Sequence, residues 1–148
     1  MRQIIEGVRG KMGKMRDHSR HRSFVDAAMA ACAMVALADE DHRLAELTAR
    51  DRVLHHLNDE KPIDVGRAVG AYERYSDLLQ SDPGAGRKAL MDIVAGLKGD
   101  QAKSERLINV CLAIGRADQQ FSARERAVVE DICTTLGLHP ADVGVYDL

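Results

Sequence analysis

The sequence has no tryptophan, and only 3% of its 148 residues are aromatic. Stacking platforms for single-stranded nucleic acid and aromatic sugar-binding clefts are therefore poorly supplied, and nucleic acid is not an expected partner. Its three cysteines are odd in number and form no CxxC pair, which argues against a disulfide framework and a common zinc module and points to a reducing, cytoplasmic setting. The longest apolar run, Ala27 to Ala38, is 12 residues, well short of the ~20 that span a bilayer. The N-terminus lacks a continuous apolar core and a small-residue cleavage site, so no signal peptide is expected. There is no Gly-rich phosphate loop, no GxSxG, no HExxH, and no cysteine beside a local base; the six histidines form no constellation, and no catalytic residue is expected.

What is present is helical. Apolar residues recur at 3- and 4-residue spacing almost throughout, without the β-branched alternation of a half-buried strand, which predicts an all-α chain forming one domain over 1–148. About seven helices are expected. The first, within 1–22, carries Ile4, Ile5, Val8, Met12 and Met15 on one stripe, with Arg9, Lys11 and Lys14 largely off it. The second, about 23–37, is apolar nearly all round and should be central. The third runs to about Leu57 with Leu44, Leu47, Leu54 and Leu57 inward.

Asp64 suits the cap of a fourth helix carrying Val65, Val69, Tyr72 and Leu79. Pro83 suits the first position of a fifth. A sixth holds Leu107, Val110, Cys111 and Ile114. The seventh opens at Ser122 and closes at Gly137. Pro140 onward has room for only a short turn.

Charge is uneven. The net charge is −2, yet Met1 to Arg22 holds seven Arg and Lys residues against Glu6 and Asp17, giving +5 and leaving −7 for the rest. Two readings follow: attraction of the basic segment to an anionic surface or membrane protein, or its lying across the acidic body of its own domain.

At an offset of 79 residues the chain matches itself. Cys32 falls on Cys111, Ala38 on Ala117, Asp39 on Asp118, Glu46 on Glu125 and Leu57 on Leu136, while Val35 meets Ile114 and Val53 meets Ile132. The two related halves, 23–57 and 102–136, each read as helix, acidic turn, helix, so a pseudo-two-fold pair of hairpins is expected.

In each half the acidic pair is Asp-x6-Glu. In continuous helix the two carboxylates would stand ~10.5 Å apart along the axis, too far to share an ion. Across a chain reversal they turn towards one point, a spacing that suits a hard divalent cation such as Ca²⁺ or Mg²⁺. A capping role competes with this. Ser122-Ala-Arg-Glu125 fits a capping box, and Asp39 and Asp118 suit bonds to turn amides. An EF-hand is excluded, because a loop begun at Asp39 places Arg43 fifth and Arg50 twelfth.

The segments Ala38-Asp39-Glu40-Asp41-His42-Arg43-Leu44-Ala45-Glu46 and Ala117-Asp118-Gln119-Gln120-Phe121-Ser122-Ala123-Arg124-Glu125 resemble the duplicated ADG-x5-E turn of the TerB-like tellurite resistance family. Ser81 to Leu90 is similar to that family's link between halves, and Cys111 to Ile114 to the helix before its second turn. The resemblance covers roughly Phe24 to Leu138.

It implies an all-helical pseudo-two-fold domain with acidic residues gathered at one end and a role in metal binding. It also implies a part in tellurite and general stress responses, with membrane-bound or calcium-binding protein partners, and no catalysis. The positions it carries over as metal ligands are Asp39, Glu46, Asp118 and Glu125. Glu40 and Gln119 stand where the family has glycine, which alters the turn and the oxygen donors around it.

Overall fold

A computed structural model describes residues 20–38, 43–117 and 121–147, and of 43–46 and 115–117 it describes the backbone alone. These residues form six α-helices and no strand: α1 (20–36), α2 (Arg43–Glu60), α3 (Val65–Ser81), α4 (Pro83–Ala95), α5 (Gln101–Ala117) and α6 (Ala123–Leu136). A 3₁₀ turn, Pro140–Val143, follows. The all-α expectation holds. The helix expected within 1–22 lies outside the described residues apart from its end, and there the boundary moves: residues 20–22 are already helical and run unbroken into Ser23. Arg and His carry no helix-breaking feature, so nothing local ends a helix at that point.

α1 is the axis of the molecule. Every residue from Ala27 to Val35 is buried, so the helix is covered round its whole circumference. Its alanines are what let neighbouring helices come close on all sides. An ion pair from Asp26 to Arg67 at 2.9 Å ties it to α3. Arg106 of α5 stacks 4.5 Å over the Phe24 ring and also meets Glu60 of α2.

Burial falls in the same phase in the two helix pairs separated by 79 residues. Met29 and Ile108, Cys32 and Cys111, Val35 and Ile114, Ala49 and Val128, Val53 and Ile132, and Leu57 and Leu136 are all buried.

The links are closed by local chemistry. α2 runs past Leu57 to Glu60, and the Asn58 side chain then accepts the Ile63 N–H at 3.1 Å. Asp64 caps α3 by accepting the Arg67 N–H at 3.1 Å. At the α3–α4 corner Asp82 serves both helices. Its N–H donates to the Leu78 carbonyl, its carboxylate accepts from the Ala85 N–H at 3.2 Å, and Pro83 occupies the first position of α4.

After α4, Gly99 takes φ 95°, and buried Ser104 reaches back to donate its hydroxyl to the Leu97 carbonyl at 3.0 Å. α6 ends on Gly137, whose left-handed φ of 75° lets its N–H close on the last turn. The final turn returns Val145 to the core, where it is fully buried.

One inward assignment changes, and one apolar residue carried by the fourth expected helix is exposed. Leu47 is 38% exposed and Val65 is 43% exposed. Leu47 is in phase with buried Leu54, but it lies at the end of α2 where the packing opens into a groove. Val65 is the first residue of α3, before the helix reaches the core. The side chain of Leu44 lies outside the described residues.

Candidate functional site

Five helices converge on a groove of about 1110 Å³. Its apolar floor is Met34 and Leu37 from the end of α1, with Tyr72, Leu79 and Val128, and Leu47 stands at its edge. Arg50, Arg87 and Arg124 come from α2, α4 and α6. The α3 wall presents Glu73, Ser76, Asp77 and Gln80. Those four follow i, i+3, i+4, i+7, the spacing of one helical face.

Two of the guanidiniums are held. Arg50 pairs with Asp51 at 3.0 Å and lies 5.6 Å over the Tyr72 ring. Arg87 meets Asp131, bracing α4 against α6. Glu73 and Asp77 are exposed and have no ion-pair partner among the described residues.

Of the four carboxylates expected to hold a metal, Asp39 and Asp118 lie outside the described residues, as does the side chain of Glu46. Glu125 is described: it is partly buried in the first turn of α6, and its N–H donates to the Ser122 hydroxyl at 3.0 Å. The Ser122 half of the capping box is thus present. Ala38, Leu47 and Arg124, the sequence neighbours of Asp39, Glu46 and Glu125, line the groove, whereas Glu125 itself is not among its lining residues. Among the described residues no group of three or more His, Cys, Asp or Glu side chains has the arrangement of a metal site.

The sequence reading overlooked the polar face of α3. Glu73, Ser76, Asp77 and Gln80 do share a helical stripe, but on an outer helix such a stripe looks like any solvated face. Only the tertiary arrangement turns it towards a groove.

The three cysteines are buried and form no disulfide. Burial pushes the Cys111 thiol far above its ordinary range, and the neighbouring Cys32 and Cys133 thiols push it further. Burial, then the Glu130 carboxylate, raises Cys133 to about 11. Both stay protonated at neutral pH, which removes the thiolate that nucleophilic or redox chemistry requires.

The arrangement is that of an all-helical, single-domain protein built on a buried central helix, with a groove lined by five of its helices. No helix among the described residues is long and apolar enough to cross a membrane. A family model, that of the tellurite resistance protein TerB, matches residues 25–147, and the chain belongs to this family. No curated protein and no solved structure shows a significant match.

Proposed function

We propose that this TerB family member is a non-catalytic stress-response protein. In this reading it binds a divalent cation, Ca²⁺ or Mg²⁺, weakly through Asp39, Glu46, Asp118 and Glu125, and presents that surface to protein partners of the same tellurite resistance system. The observation that carries the proposal is the shared groove: residues adjoining Asp39, Glu46 and Glu125 in the chain all line it. The 79-residue self-match supports reading the two turns as duplicated and equivalent.

Four carboxylates brought together in this way would repel. A pair at 4 Å interacts by ~4 kcal/mol at an effective dielectric of 20, and a hard cation with oxygen ligands relieves that repulsion directly. Glu40 adds a further carboxylate at the first turn, while Gln119 offers only a neutral carbonyl at the second. The first turn is therefore the stronger half of the site.

The Ser122 bond to the Glu125 N–H favours a second reading at one point. In it the acidic residues are metal-free caps, and the basic N-terminal segment docks on a membrane protein or anionic surface.

Calorimetric titration of metal-stripped protein with Ca²⁺, Mg²⁺, Zn²⁺ and Mn²⁺ separates the two. Binding by the first reading stabilises the fold by ~2.7 kcal/mol at a hundredfold excess over the dissociation constant, seen as a higher melting temperature. The double change Asp39→Asn, Asp118→Asn abolishes that shift. A shift that survives the double change places the ion elsewhere, and no heat with any of the four ions leaves the capping reading.

A further inference from the structure

We draw no further inference here: the strongest candidate, the groove between five helices, sets the guanidiniums of Arg50, Arg87 and Arg124 against the carboxylates of Glu73, Asp77 and Asp131, so its charge selects no occupant and nothing in the structure shows what covers it.

Discussion

A Cβ placed on Gly86 would lie 2.6 Å from the carbonyl oxygen of Leu78 and 3.0 Å from the Cα of Leu79. α4 therefore rests directly on the backbone of the last turn of α3. Gly86 is buried, and its N–H also donates to the Asp82 carbonyl at 2.7 Å. The obstructing atoms are main chain, so no side-chain rotation relieves the clash.

Gly86→Ala should accordingly destabilise the fold by about 1–3 kcal/mol, the range for overpacking a tight contact, despite alanine's better helix propensity. At this chain length that lowers the melting temperature by roughly 2–4 °C per kcal/mol. Gly84→Ala is the control: the nearest atom a Cβ would meet is an Asp82 carboxylate oxygen at 3.9 Å. It should leave stability unchanged or slightly raised.

The helix caps were legible because they are local. Asp64, Pro83, Ser122 and Gly137 each sit where residue chemistry alone places a helix end, and α1 declared itself central by being apolar on every side. The outward turn of Leu47 and the continuation of α2 to Glu60 were not legible, since each depends on where α3 and α5 pack. The same holds for the groove. Glu73 and Asp77 acquire meaning only when α1, α2, α4 and α6 surround the space in front of them. Of the expected metal ligands, only Glu125 has its side chain among the described residues, and the bond seen there is from its N–H to the Ser122 hydroxyl, the serine half of the capping box.

The buried thiols give stability a defined dependence on alkaline pH. Cys133 moves from an ordinary 9.0 to about 11 on folding, and Cys111 moves further in the same direction. Because folding holds these protons more tightly, the unfolded chain ionises first as pH rises. Their contribution is intact below pH 9 and is lost progressively through pH 11 and above. Urea midpoints should be flat across pH 7–8.5 as far as these groups are concerned and fall beyond 9. Cys133→Ala should shallow that fall. In the native state at pH 8 a thiol reagent should modify these three cysteines only as fast as the protein opens, and a rapid stoichiometric reaction would contradict their burial.

Arg106 serves two partners whose contributions separate by mutation. Its guanidinium stacks 4.5 Å over the Phe24 ring and meets Glu60, whose carboxylate also lies 3.2 Å from His56 Nε2. The ion pair is partly solvated, with side chains 35% and 40% exposed, so it should be worth under ~1 kcal/mol. Stacking on a buried ring adds ~0.5–2 kcal/mol, and the aliphatic stem of Arg106 covers apolar surface as well. Arg106→Ala should therefore cost about 1–2 kcal/mol, whereas Glu60→Gln should cost less than half as much and grow milder still in high salt. Arg106→Lys keeps the charge but loses the planar face, and it should resemble the alanine change more than the parent. Equal losses from Glu60→Gln and Arg106→Ala would assign the effect to the ion pair and remove the ring from the account.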